Sequence, residues 1–170
     1  LGFWKPASVI IYGLSLIILY AASTFYHAAK NEKKRRKLNI FDHAAIYVLI
    51  AGSYSPFCLV ALDSNLGWYM FLFVWVFALV GVILKLFFTG KFDKLSTAMY
   101  LLMGWQVMFF IKPLISKLTD NGINLLIAGG IFYSVGAVLY SIKKLPYNHA
   151  TFHVFVLLGS LSHFIAIYNL

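Results

Sequence analysis

Six long apolar stretches decide what this 170-residue chain can fold into. A helix needs about 20 apolar residues to cross the hydrocarbon core of a bilayer. The stretches cover residues 7–28, 41–62, 67–88, 96–111, 123–142 and 149–168. The segments between them are short and leave no room for a separate soluble domain. The sequence therefore predicts an all-α polytopic transmembrane bundle with six spans, forming one integral membrane domain over residues 1–170.

Composition excludes several other classes of protein. Hydrophobic residues make up 62% of the chain and charged residues 11%, whereas a soluble domain has about 45–50% apolar and about 25% charged residues. A soluble enzyme, a disordered regulator and a secreted disulfide scaffold are therefore excluded. The net charge of +9 would indicate nucleic acid for a soluble protein. Here the basic residues fall between apolar runs and indicate how the spans are oriented in the membrane, so we expect no nucleic-acid partner.

The basic residues predict the orientation in the cell membrane. The segments after the first, third and fifth spans carry ten lysines and arginines, six of them within residues 30–37, and the opposite side carries three. Segments rich in lysine and arginine stay in the cytoplasm. The 30–37 loop is therefore predicted to be cytoplasmic and the C-terminus extracytoplasmic. Because both ends then face outward and the chain begins without methionine, we expect a further span upstream and a missing natural N-terminus.

Five polar residues are predicted to lie at one membrane depth. Ser23 and His27 are four residues apart near the cytoplasmic end of the first span, Asp42 begins the second, and His149 and His153 are four residues apart at the start of the sixth. Residues at i and i+4 share a helix face. Polar groups inside a membrane are costly unless they are paired, so each is a functional candidate.

The histidines indicate a zinc site. A pair at i and i+4 can bind one tetrahedral Zn²⁺, and catalytic zinc sites use three protein ligands and one water. An isolated pair arises often by chance, but His27 offers a third ligand at the same depth. No glutamate stands between His149 and His153, so a base must come from Asp42. The fourth ligand is water or Asp42 itself, and we expect water.

The other notable residues favour structural roles. We interpret His43 as an interfacial histidine and His163, about 21 Å from His149 along the helix, as a hydrogen-bonded histidine near the outer end. Cys58, the only cysteine, is interpreted as a small buried hydrophobe. Asn148 is predicted to cap the last helix, and Pro56 is predicted to kink the second span. Close helix packing is predicted at Gly129, Gly130 and Gly136. We interpret the basic residues 30–37 as a topology anchor rather than a lipid-binding site.

Several motifs in order carry a resemblance to a known family. They are Ser23–His27, Phe41–His43, Gly52–Pro56, Met103–Trp105 and Leu145–His153. Together they resemble bacterial haemolysin III proteins of the progestin and adipoQ receptor family, over about residues 23–163. That family has seven spans, and the first carries a motif with glutamate and asparagine that is absent here. This chain resembles spans two to seven.

The resemblance implies a zinc ion bound by His27, His149 and His153, with Asp42 and Ser23 close to the zinc-bound water. It also implies a relation to ceramidase-like membrane hydrolases, and hence hydrolysis of a lipid amide or ester. Two alternatives stay open at this point. One is a non-catalytic receptor or regulator of membrane lipid and energy homeostasis with a structural zinc. The other is a pore-forming cytolysin, which the absence of a polar stripe in any span disfavours.

Overall fold

The computed structural model describes residues 2–88 and 93–170, with side chains described except at Asp93 and Lys94. Over that part of the chain all regular structure is helical. The α-helices are α1 (Trp4–Ala28), α2 (Glu32–Pro56), α3 (Asn65–Phe88), α4 (Asp93–Gly104), α5 (Ile111–Ile115), α6 (Asp120–Ser141) and α7 (Asn148–Tyr168). A π-helical segment, Phe57–Ala61, continues α2, and a 3₁₀ segment, Trp105–Phe110, joins α4 to α5.

Six helices in the described residues are long and apolar enough to cross a membrane, which confirms the predicted number of spans. They cover Trp4–Ala28, Glu32–Ala61, Asn65–Phe88, Leu95–Ile115, Asp120–Ser141 and Asn148–Tyr168. Of the basic residues predicted to follow the third span, Lys91 lies outside the described residues, and Lys94 lies in α4. The prediction of one integral membrane domain over residues 1–170 stays a prediction.

The second span begins earlier than its apolar residues indicate. We predicted a start at Phe41 and a loop over residues 30–37, but α2 begins at Glu32 and residues 33–37 form its exposed first turns. The Asn31 side chain accepts a hydrogen bond from the backbone N–H of Lys34 at 3.1 Å. This cap and the acidic Glu32 in the first turn stabilise a helix start among basic residues. The loop prediction was therefore wrong for most of this segment.

Pro56 changes the geometry of the second span without ending it. The α-helical hydrogen bonds stop at Pro56, and Phe57–Ala61 continues as a π-helical turn. Proline removes one backbone donor, and π-turns are one way in which a helix absorbs such a defect. Cys58 lies in this turn and is buried as a free thiol, which confirms its interpretation as a small buried hydrophobe.

The chain divides into two compact units, Leu1–Ser96 and Thr97–Leu170. In the first unit, α2 packs against both α1 and α3 through glycines. A Cβ atom at Gly52 would overlap the Ser15 side chain of α1, and a Cβ atom at Gly81 of α3 would overlap the Tyr47 ring. The two glycines therefore set how closely α1 and α3 approach α2.

In the second unit, α6 packs against α7, and here two of the three glycine predictions are confirmed. A Cβ atom at Gly129 would overlap the His163 ring, and one at Gly136 would come within 2.8 Å of the Phe155 Cβ. Gly130 has open space around the position of a Cβ atom. The prediction for Gly130 was wrong because that residue is about 100° around the helix from Gly129.

His163 is buried against α6. Its Nε2 lies 3.2 Å from the backbone oxygen of Leu126, and its ring meets Tyr133 edge to face at 5.4 Å. The Tyr133 hydroxyl is in turn 2.9 Å from the Ser160 hydroxyl. The interpretation of His163 as a hydrogen-bonded structural histidine is confirmed. Its contacts hold α7 against α6 at a point distant from His149.

Candidate metal site

The last turns of α1 carry Ser23 and His27. Ser23 is half-buried and His27 is exposed. The His27 ring lies 4.7 Å from the Tyr26 ring, and the Arg35 guanidinium lies 5.6 Å from the centre of that same tyrosine ring. The cation–π contact ties the end of α1 to the start of α2.

The first turns of α7 carry His149 and His153, which are both half-buried. Their ring centres are 4.7 Å apart, as expected for side chains one helical turn apart. The Tyr140 ring of α6 meets His149 at 5.5 Å and Phe152 at 5.1 Å. Aromatic contacts therefore restrict the orientation of His149.

Three histidines could hold a metal ion. One ring nitrogen from each of His27, His149 and His153 lies within 4.8 Å of the others, within the part of the chain that the structure describes. Two imidazole nitrogens on one tetrahedral zinc lie about 3.3 Å apart, given Zn–N distances of about 2.0–2.1 Å. Three imidazoles with no thiolate form a donor set that zinc and other first-row transition metals accept, and a tetrahedral ion would have a fourth position for another ligand.

Asp42 is not part of this three-histidine cluster among the residues that the structure describes. Asp42 is buried, with 6% of its surface exposed. It precedes Tyr47 by five residues, which places the two about 140° apart around α2. Because Tyr47 packs on Gly81 of α3, Asp42 lies on a face turned away from α3. His43 is half-buried, with its Nδ1 2.8 Å from the backbone oxygen of Asn39.

Asn148 does not cap α7 in the predicted way. The residue before the first turn of α7 is Tyr147, whose side chain makes no capping hydrogen bond. The Asn148 amide nitrogen instead donates to the backbone oxygens of Tyr140 at 3.1 Å and Ile142 at 3.3 Å. The prediction was wrong because asparagine can donate as well as accept, and the end of α6 supplies acceptors that sequence does not reveal.

Tyr140 was missed by sequence reasoning. It stands nine residues before His149, in an apolar run where an aromatic residue gives no distinct signal. Only the antiparallel return of α7 along α6 brings its ring to His149.

Comparison with known proteins assigns the chain to a family. A family model described as haemolysin-III related matches residues 2–164. The chain is 46% identical to Hemolysin-3 of Bacillus cereus over 157 residues, covering 92% of this chain and 72% of that protein. It is 45% identical to the Hemolysin-3 homolog of Bacillus subtilis (strain 168), covering 96% and 77%. The monocyte to macrophage differentiation factor of Homo sapiens is 28% identical, covering 98% of this chain and 71% of that protein.

The matches span nearly the whole chain, and the family match includes all three histidines. They agree with the resemblance seen in the sequence motifs. Together with the six apolar helices, they indicate a multi-pass membrane protein. The chain belongs to the haemolysin III-related family.

Proposed function

We propose that this protein is a zinc-dependent membrane hydrolase that cleaves an amide or ester bond of a lipid. The observation that supports it is the cluster of three imidazole nitrogens within 4.8 Å of one another. Three protein ligands leave one position for water, which distinguishes a catalytic zinc site from a closed structural one.

Zinc, when bound, supplies a Lewis acid that activates water at neutral pH and polarises a carbonyl group. Asp42 accepts the proton of the attacking water and delivers it to the leaving amine or alkoxide. Ser23 donates a hydrogen bond to the carbonyl oxygen as negative charge develops there. In this proposal both residues act on the water and the carbonyl group without binding the metal.

Metal removal tests this function. Detergent-purified protein is expected to carry about one zinc per chain and to release product from a panel of long-chain N-acyl lipids and acyl esters. A chelator should abolish turnover, and added Zn²⁺ should restore it, because no side chain in the cluster can replace the Lewis acid. Turnover that is unchanged after complete zinc removal would contradict the proposal. Zinc-loaded protein that turns over no lipid of the panel would favour a structural clamp.

We further propose that the start of α2 faces the cytoplasm and Leu170 faces outward, because lysine and arginine concentrate in the segments after the first, third and fifth spans. In a Cys58→Ser background, an Arg35→Cys variant should resist an impermeant thiol reagent in intact cells, and an Asn169→Cys variant should react. Permeabilised cells should label both variants. The reverse pattern in intact cells would overturn the orientation.

A further inference from the structure

The connection between α6 and α7 is short and tightly folded. It covers residues 142–147, between Ser141 and Asn148. Tyr147 adopts left-handed backbone angles, with φ 57° and ψ 22°, which residues with a Cβ atom seldom adopt. The backbone N–H of Leu145 donates to the oxygen of Ile142 at 3.0 Å, and that of Thr151 donates to the oxygen of Tyr147 at 2.9 Å. The chain therefore enters α7 directly from a constrained turn.

The Asn148 amide joins the two ends of this connection. The last carbonyl groups of a helix have no partners within that helix. Asn148 reaches two carbonyls at the end of α6, those of Tyr140 and Ile142, with its single amide nitrogen. That nitrogen carries two N–H donors, so each carbonyl takes one. The side chain thus fixes both the position of the first turn of α7 along α6 and its rotation about the helix axis.

The same two residues flank a histidine of the cluster. Asn148 is the residue directly before His149, and the Tyr140 ring packs edge to face on the His149 ring at 5.5 Å. Tyr140 therefore receives a hydrogen bond from Asn148 through its backbone and contacts His149 through its ring. A shift of the first turn of α7 along α6 would break both contacts together.

We propose that Asn148 is a positioning residue for the metal ligand His149, acting as a hydrogen-bond donor to the end of α6. This role rests on the proposed function, because it requires a metal at the three-histidine cluster. Asn148 does not touch the metal itself. It holds the backbone from which His149 projects, as partners of ligating residues do in other metal sites.

The direction of the hydrogen bond separates this role from ordinary helix capping. A capping residue accepts a hydrogen bond from backbone N–H groups, whereas Asn148 donates to backbone oxygens. Aspartate has the same shape as asparagine and accepts well, but an ionised carboxylate cannot donate. An Asn148→Asp variant would therefore still be able to cap α7, but it would lose the hydrogen bonds that Asn148 donates to the end of α6.

The test measures metal affinity in detergent-purified protein by competition between the protein and a chelator for Zn²⁺, and records the visible spectrum of the Co²⁺-substituted protein. Asn148→Asp should weaken affinity about 10- to 100-fold, the range typical for lost partners of metal ligands, and should change the Co²⁺ bands. A negative charge near a cation would by itself raise the affinity for the metal, so a lower affinity cannot be caused by the charge.

Asn169→Asp is the matched control, because the Asn169 amide nitrogen donates to the Ile165 backbone oxygen at 2.8 Å at the far end of α7. It should leave both readouts unchanged.

The outcomes separate the two proposals. Wild-type protein that binds neither Zn²⁺ nor Co²⁺ would overturn the proposed function and the positioning role with it. Wild-type binding combined with equal binding by Asn148→Asp would overturn the positioning role alone. If Asn148→Asp does not fold, Asn148→Gln, which keeps the donor, should bind more tightly than Asn148→Ala, which lacks it. Equal affinities for those two variants would also overturn the role.

Discussion

Protein in which His149 and His153 are both replaced by alanine is expected to purify without bound zinc, whereas the wild-type protein is expected to carry about one zinc per chain. Two of the three nitrogens that lie within 4.8 Å of one another are then lost. One remaining imidazole cannot hold the ion, because zinc sites in proteins take three or four protein ligands. Elemental analysis of the purified protein measures the effect, and lipid turnover should disappear with the metal.

His43→Ala is the control for that variant. His43 lies one residue from Asp42 but is outside the three-histidine cluster. Its ring is close to the backbone oxygen of Asn39 on its own helix. Zinc content should therefore be unchanged in His43→Ala. A double variant at His149 and His153 that kept one zinc per chain would place the metal elsewhere and refute the assignment of these ligands.

Asp42→Asn is expected to reduce lipid turnover by at least about 100-fold while zinc stays bound. General acid–base catalysis contributes about 10²- to 10⁴-fold to a rate, and asparagine has the shape of aspartate but cannot accept the proton. The loss should appear mainly in kcat, since the substitution changes neither the metal ligands nor the shape of the site. Turnover and zinc content are measured on the same preparation.

Two results would contradict this expectation. Loss of zinc together with activity in Asp42→Asn would make Asp42 a metal ligand and the site a closed, structural one. Full activity with zinc retained would remove Asp42 from the reaction.

The spans and the proximity of His149 to His153 were predictable because both follow from short-range rules. Hydropathy marks any run long enough to cross a bilayer, and the spacing of His149 and His153 places them on one helix face. His27 could be added because its helix end falls at the same predicted depth. These inferences need only the length of a helix and its number of residues per turn.

The features that sequence missed depend on contacts between helices or on local hydrogen bonds. The start of α2 at Glu32 follows from the Asn31 cap, which overrides the polar character of the segment. Whether a glycine is a packing site depends on its rotation about the helix axis, which separates Gly129 from Gly130. The role of Asn148 depends on where the end of α6 lies, and a single sequence carries no record of that.

The early start of α2 also has a consequence for the depth of Asp42 in the bilayer. At about 1.5 Å per residue, the 25 residues of α2 extend about 37 Å, more than the hydrocarbon thickness of about 30 Å. Lys37 precedes Asp42 by five residues, or about 7.5 Å along the axis. A thicker or thinner membrane cannot draw Asp42 deeper without pulling the basic turns of α2 into hydrocarbon, where each charge is costly. We therefore expect hydrophobic mismatch to be absorbed by tilt or by the opposite end of the helix, so that Asp42 stays at a constant distance from the headgroup region.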